Sequence, residues 1–379
     1  MLITLIISLA FTFVILFLRR GLYRLDQRPL SDDINTSLTF SVIIAARNEE
    51  RNIAKCLRTV FTQTLPADRF EVIVIDDRSE DSTPDILREF LHQYKNLRII
   101  TIAETPPGIS PKKHAVTQGI NAASNDIIVF TDADCLVPPS WLSTINKYFD
   151  DDTALVQGIT SYSYIPGMSK TFYGLQSIDF LSHGVIAAAA IGANLPINSN
   201  ANNMAFLGRA FDEVGGYGAD TNVTLGDDDH LLQRVWASGK KVRYMADPNG
   251  AVETAPTETP RALFEQRRRW GSVTVHYGMR QVALLSTVFV FYVMIAATAV
   301  ISIFDIAWLP IFGSLLLVKF AGELALMIPG TRMFNKKYLR KYLLPASLIQ
   351  LPMVLIAVLT GVFGKFEWKG QRTARTIRP

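Results

Sequence analysis

The stretch DIIVFTDAD, residues 126 to 134, runs from a short apolar segment into a threonine and then two aspartates one residue apart. An apolar run of that length between polar residues reads as a buried strand. Ending it on Asp132 and Asp134 is costly, because like charges repel and each carboxylate resists leaving water. Something positive belongs between them. Alternation along a strand would turn residues i and i+2 to the same side. The pair could then grip one hard divalent cation, Mg²⁺ or Mn²⁺, together with phosphate oxygens.

Outward from this stretch the pattern repeats. TFSVIIAA (39–46), FEVIVID (70–76) and LRIITIA (97–103) read as strands, and EERNIAKCLRTVFTQ (49–63), TPDILREFLHQY (83–94) and KKHAVTQGINAA (112–123) read as helices. The alternation, from residue 38 to about 260, predicts an α/β domain with a doubly wound start. Ligands of such sheets sit at the carboxyl ends of the strands, where this chain places RNEE, DDRSEDST and DAD. No GxGxxG opens the first turn, so a nucleotide other than a dinucleotide is favoured.

The chain has 379 residues, 49% of them hydrophobic, which suggests two or three domains and a membrane portion. A formal charge of +4, from 38 basic and 34 acidic residues, is too small to argue for nucleic acid. Cys56 and Cys135 lack metal-ligand spacing, so neither a disulfide framework nor a zinc site is indicated, and a reducing cytosolic setting fits.

Residues 1–18 are apolar and are followed by Arg19, Arg20, Arg24 and Arg28. This reads as a retained transmembrane anchor over 1–20 with the following chain on the cytoplasmic side, since a signal peptide wants its basic residues first. Three more apolar stretches occupy 282–304, 307–328 and 343–364, the first two as a hairpin turning near Asp305. The linker TRMFNKKYLRKY carries five basic residues and should face the cytoplasm. The basic tail, 365–379, is expected on the same side, which conflicts with simple alternation unless Pro345 and Pro352 break the last stretch into a re-entrant or interfacial hairpin.

Each polar cluster has an ordinary explanation beside a functional one. Asp76 and Asp77 could cap the next helix. Lys112 and Lys113 could be solvated charges, or could hold phosphate at a helix start. Asp227, Asp228 and Asp229 suit a helix dipole, yet one of them could remove a proton from an acceptor hydroxyl. The arginines of QRRRW (266–270) suit lipid headgroups, which leaves Gln266 and Trp270 unexplained.

In order along the chain, SVIIAARNEE, VIVIDDRSEDST, PKKHAVTQGI, FTDADC, GDDDHLLQR and QRRRW resemble the family 2 inverting glycosyltransferases. The likeness is to the membrane-embedded QxxRW branch that includes hyaluronan, chitin and cellulose synthases and ceramide glucosyltransferases. It covers about 230 residues and implies a GT-A, Rossmann-like mixed sheet domain over 38–275, with transmembrane or interfacial helices over 282–364. It further implies that Ala45, Arg47 and Glu49 line the nucleotide pocket, that Asp77 accepts from a uracil ring, and that Lys112 contacts the nucleotide. Asp132 would lie near ribose and diphosphate, Asp134 would ligate the metal, and Asp228 would be the general base. Gln266, Arg269 and Trp270 would cover the diphosphate. Asp227 stands where many relatives have Glu, and His230 where Asp is frequent, which loosens the base assignment among Asp227, Asp228 and Asp229.

The implied reaction is attack by a deprotonated acceptor hydroxyl on the anomeric carbon of a nucleotide sugar, with inversion. The acceptor is expected to be a lipid. A processive polysaccharide synthase, and a catalytically inactive nucleotide-binding membrane scaffold, are the alternatives. The implied setting is a multi-pass protein of the cell membrane with a cytoplasmic catalytic domain.

Overall fold

Strands β1 (Phe40–Ala46), β2 (Phe70–Asp77), β3 (Leu97–Ile102) and β4 (Ile127–Phe130) run parallel, as the apolar runs predict. After them come β5 (Thr153–Gly158), β6 (Thr160–Tyr162), β7 (Met204–Leu207), β8 (Lys241–Met245) and β9 (Val252–Thr254). A computed structural model describes residues 1–26, 35–217, 226–271, 277–363, 366–368 and 371–373, with the backbone alone at Asp26, Asp227 and Gly271 and from residue 361 onward. The chain divides into two compact units. One comprises Asp26–Ser163 and Asn198–Ala255; the other comprises Met1–Leu25, Tyr164–Ile197 and Pro256–Pro379.

The first unit is a seven-stranded sheet in the order β3-β2-β1-β4-β7-β5-β8. β7 is antiparallel to both β4 and β5, so the sheet is mixed. A small parallel pair, β6 with β9, stands beside it. Period-two alternation sorts the core. Phe40, Val42 and Ile44 face a cluster with the helix Ile53–Phe61, Leu87 and Trp141, whereas Ile43, Ile73 and Ile75 face the helices Pro111–Ala122 and Asp227–Ala237. Both faces are covered, so the strands read as continuous apolar runs.

The second unit is helical. Among the described residues, five segments are long and apolar enough to cross a membrane: Leu2–Leu25, Lys170–Gly192, Met279–Phe304, Ile306–Met333 and Lys337–Thr360. Of these, Lys170–Gly192 is mostly buried within this unit. A Cβ at Gly21 would lie 1.9 Å from the Ala189 carbonyl oxygen, and one at Gly192 would lie 2.2 Å from that of Gly21. Such close backbone approach is how apolar helices gain contact where no hydrophobic driving force is left. Asp305 caps the tight turn after Phe304, accepting from the Ala307 amide at 3.0 Å.

The last apolar stretch is one helix, Leu343–Phe363, with Pro352 inside it, so the hairpin that Pro345 and Pro352 suggested does not form. Pro345 falls in the first turn, where an amide would have no intrahelical partner anyway, and a single interior proline is tolerated among neighbouring helices. Pro329 shows the same tolerance. Lacking an amide, it orphans the carbonyl of Ala325 four residues earlier, and the Arg19 guanidinium donates to that oxygen at 2.6 Å. The expected tail, 365–379, lies outside the described residues except for a short antiparallel pair, Phe366–Trp368 with Gln371–Thr373.

The Gly21 contact leaves no room for a side chain, while Gly313 has nothing within 4 Å of a built Cβ. Gly21→Ala should lower the melting temperature of the detergent-solubilised protein, at a cost of about 1–3 kcal/mol typical of overpacking. Gly313→Ala should leave it unchanged or slightly raised.

Candidate active site

The carboxyl ends of β1, β2 and β4 lie side by side. Ala45 pairs with Ile75, Ala46 with Asp76, and Ile43 with Phe130, so the residues after Phe130 emerge level with Ala45 and Arg47. The loops after β1 and β2 are laced together. The Asn48 amide donates to Ser79 Oγ at 3.0 Å, Asn48 Oδ1 accepts from the Glu80 amide at 2.8 Å, and the Glu49 amide donates to Thr83 Oγ1 at 2.8 Å. Asn48 and Arg78 take left-handed φ of 54° and 56°. Asparagine tolerates that region, but arginine is strained there. The Arg78 Nε bond to Asp77 Oδ1, at 2.8 Å, helps hold it.

Asp76 and Asp77 do not cap the following helix. That helix starts at Thr83, whose amide donates to Asp81 at 3.0 Å, while Asp76 accepts from the Ser79 amide at 3.1 Å inside the turn. Both carboxylates are buried at the end of β2.

β4 ends at Phe130, so strand alternation is not what aligns Asp132 and Asp134. A turn does it instead, closed by the Cys135 amide on the Asp132 carbonyl at 3.1 Å. Lys112 Nζ stands 3.4 Å from Asp132 Oδ1, and Thr254 Oγ1 donates to Asp134 Oδ2 at 3.4 Å. Asp134 reaches solvent yet is crowded by protein on most sides. That crowding, with the charges of Asp132 and Glu49, pushes its pKa up to about 6. Burial, reinforced by Asp134, Asp132 and Glu49, likewise holds the Cys56 thiol well above its ordinary value. Glu49, Asp132 and Asp134 thus form one negative focus.

A further acidic cluster joins this one. Asp227 opens the helix Asp227–Ala237 after Gly226, which supplies a left-handed φ of 79°; the side chain of Asp227 lies outside the described residues. Asp228 Oδ2 accepts from the Ala201 amide at 2.9 Å, and Asp229 Oδ1 accepts from the Ser199 amide at 2.6 Å. The next residue, Asn202, donates through Nδ2 to Cys135 Sγ at 3.2 Å, beside Asp134. Asp134 and Asp228 therefore lie in one region, a few residues apart through Cys135, Asn202 and Ala201.

This connection runs through residues that sequence reasoning did not select. Buried Gln157 accepts at Oε1 from Ser199 Oγ at 2.5 Å and donates from Nε2 to the Asn200 carbonyl at 3.0 Å. Buried Asn203 donates to the carbonyls of Ile159 and Gly250 at 2.8 and 2.9 Å and accepts from Trp141 Nε1 at 2.9 Å. The signal was the run NSNANN, 198–203, a polar stretch with neither helical nor strand period directly before the apolar MAFL.

The QRRRW residues belong to the helical unit, on the helix Pro260–Gly271. There Arg267, absent from the sequence-based selection, is the buried member. Its Nε donates to Asp179 Oδ2 at 2.7 Å, its guanidinium lies 4.2 Å from the Trp270 ring centroid, and it donates to Gln266 Oε1 at 2.6 Å. Gln266 and Trp270 thus brace an ion pair. Arg269 is partly buried on the same helix.

Residues 127–334 match the profile described as Glycosyl transferase family group 2, and residues 41–191 match Glycosyl transferase family 2. The chain belongs to glycosyltransferase family 2. Among its relatives, the glycosyltransferase AglE of Haloferax volcanii is 35% identical over 57% of this chain and 67% of its own length. A beta-monoglucosyldiacylglycerol synthase of Synechocystis sp. is 29% identical over 60% of this chain and 46% of its own, so the match spans about half of that relative. A mannosyltransferase from Pyrobaculum calidifontis, solved with GDP-Man and Mn²⁺, superimposes with a TM-score of 0.62 at 19% identity, covering 95% of this chain and 98% of that one. The fold of this glycosyltransferase is therefore GT-A, a Rossmann-like mixed sheet.

Among the described residues no group of three or more His, Cys, Asp or Glu side chains forms a metal cage. A hard cation such as Mg²⁺ takes most of its shell from water and substrate phosphate and needs only one or two carboxylates.

The raised Asp134 pKa has a sign. The folded state binds that proton more tightly than the unfolded chain, so the carboxylate costs stability increasingly as pH rises from its ordinary value of 3.8 through about 6. Asp134→Asn should raise the melting temperature of the metal-free protein at pH 7.5 and do so less at pH 4.5, as followed by calorimetry at both pH values.

Proposed function

We propose that this glycosyltransferase is a membrane-embedded inverting enzyme that transfers a sugar from a nucleotide sugar, a UDP-sugar, to a lipid acceptor. The observation that carries the proposal is the junction just described, in which the Asp134 turn and the Asp228 helix meet through Cys135, Asn202 and Ala201. A donor diphosphate and an acceptor base need to be neighbours for a single displacement.

In this reading Ala45, Arg47 and Glu49 line the nucleotide pocket, Asp77 accepts from the uracil N3–H, and Lys112 meets the nucleotide side. Lys112 beside Asp132 suits that role, because it keeps a cation next to the carboxylate facing ribose and diphosphate. Asp134 with Asp132 would hold Mg²⁺ or Mn²⁺, which when bound offsets negative charge on the leaving diphosphate. Asp228 takes the proton from the acceptor hydroxyl. One of its oxygens is fixed by the Ala201 amide and the other remains to accept. Asp229 is anchored by Ser199, and Asp227 is the remaining alternative base. Gln266, Arg269 and Trp270 enter as donor-binding residues through the family resemblance alone.

The five apolar helices and the relatives named beta-monoglucosyldiacylglycerol synthase support a membrane site and a lipid acceptor. The proposed layout is an anchor over 1–20, a cytoplasmic catalytic domain over 38–275, membrane helices over 282–364 and a cytoplasmic tail over 365–379. Arg19, Arg20 and Arg24 at the carboxyl-terminal end of the first helix support that orientation.

Purified membranes should release free nucleotide from one of a panel of nucleotide sugars, only with Mg²⁺ or Mn²⁺ present, and radiolabel should appear in a lipid-extractable product carrying a single sugar. A long radiolabelled chain would instead support a processive synthase. Asp228→Asn should lower kcat by about 10²–10⁴-fold, the range for losing a general base, with donor affinity retained. Unchanged turnover in that variant would rule out Asp228 as the base.

A further inference from the structure

Where the helix Leu309–Met333 ends, the helical unit contains a hollow of about 570 Å³, none of whose lining residues is a candidate site residue. Four cations from three parts of the chain line it: Arg19 of the first helix, Arg332 at the end of Leu309–Met333, and Lys337 and Arg340 of the turn that follows. Its remaining wall is apolar, made by Leu324, Ala325, Ile328 and Pro329.

Two of the cations already have structural roles. Arg19 satisfies the Ala325 carbonyl orphaned by Pro329, and Arg340 donates to Thr331 Oγ1 at 2.8 Å and to the Ile328 carbonyl at 2.7 Å. Arg332 and Lys337 are exposed and make no comparable contact. Among the described residues none of the four is paired with a carboxylate. The helix carboxyl end offers about half an elementary negative charge, far short of four positive ones. A strong positive potential therefore remains in a concave site, and it fits a phosphate.

The apolar wall narrows the choice of phosphate. Leu324 and Ile328 are 41% and 46% exposed directly beside the cations. A soluble phosphate has no use for that wall, whereas a lipid puts a phosphodiester and the start of an acyl chain side by side. Basic pockets between apolar helices are suited to anionic headgroups. We propose that this hollow binds the phosphate headgroup of an anionic phospholipid, separately from the acceptor site. The proposal rests on the membrane reading above, and retention of the chain in membranes after alkaline carbonate extraction tests that reading by itself.

The test uses the full-length chain in mild detergent, titrated with phosphatidylglycerol or phosphatidylcholine and followed by native mass spectrometry and thermal melting, with inorganic phosphate as a third arm. The informative variant is Arg332→Gln combined with Lys337→Gln, because neither side chain braces a helix end. Wild-type protein should retain phosphatidylglycerol at least fivefold over phosphatidylcholine and melt several degrees higher with it. The double variant should lose both differences while melting as wild type does in phosphatidylcholine, with its basal transferase activity unchanged. A double variant that keeps the phosphatidylglycerol preference overturns the site. Equal stabilisation by inorganic phosphate, with displacement of the lipid, overturns the lipid as its occupant.

Discussion

Three carboxylates, Glu49, Asp132 and Asp134, are held closer together than their charges favour, and the sheet unit is organised around keeping them there. Register does the first part of this work. β4 stops opposite Ile43, before β1 ends at Ala46, so the residues after Phe130 run on beside Ala45 and Arg47. The loop lacing between Asn48, Ser79 and Thr83 does the second, because a loop free to move would let Glu49 swing away from the other acids. The consequence is visible in Asp134, whose proton is held up to about pH 6, and in Cys56, whose thiol is held neutral. Such a focus is unfavourable alone and is relieved by a nearby positive charge.

Behind that focus stands a second shell made of amides rather than charges. Gln157 and Asn203 are buried, and each spends its polar atoms on backbone groups of neighbouring segments or on Trp141 and Ser199. A buried amide with its partners in place restricts the chain to one arrangement, because any shift leaves a donor or acceptor unmet. Through this shell the 198–203 segment holds the Asp228 helix in its place beside the Asp134 turn.

The helical unit solves a different problem. With apolar surface facing outward there is little to gain from burial, so its helices associate by close backbone approach at Gly21 and Gly192 and by polar groups sealed between them. Lys319 donates to Ser347 Oγ at 2.6 Å and pairs with Glu323, which also accepts from Tyr292 Oη at 3.0 Å. The pair of Arg267 and Asp179 follows the same logic, with Trp270 stacked over the guanidinium. Charged residues in such surroundings must meet internally what water would otherwise supply.

The strands β1 to β4, the helices between them and the four apolar stretches first noted were legible in the sequence, because each is set by a local period: two for a strand, 3.6 for a helix, or an unbroken apolar run. The acidic tips were legible too, since β2 ends on carboxylates and the turn after β4 carries two more, residues with no reason to be buried. Other features depended on partners distant in sequence. Asp76 has the composition of a helix cap but closes a turn, because Ser79 lies within its reach. Pro352 has the composition of a break but stays within a helix, because an apolar segment has no better use for its other amides. Asp132 and Asp134 lie in a turn closed by Cys135, past the end of the strand, and still feel each other's charge. Local patterning therefore determined the elements and the residue types at their ends. Which of those ends met, and that Gln157, Asn203 and Arg267 would hold them, was decided by tertiary structure, because a hydrogen bond between residues tens of positions apart leaves no period in the chain.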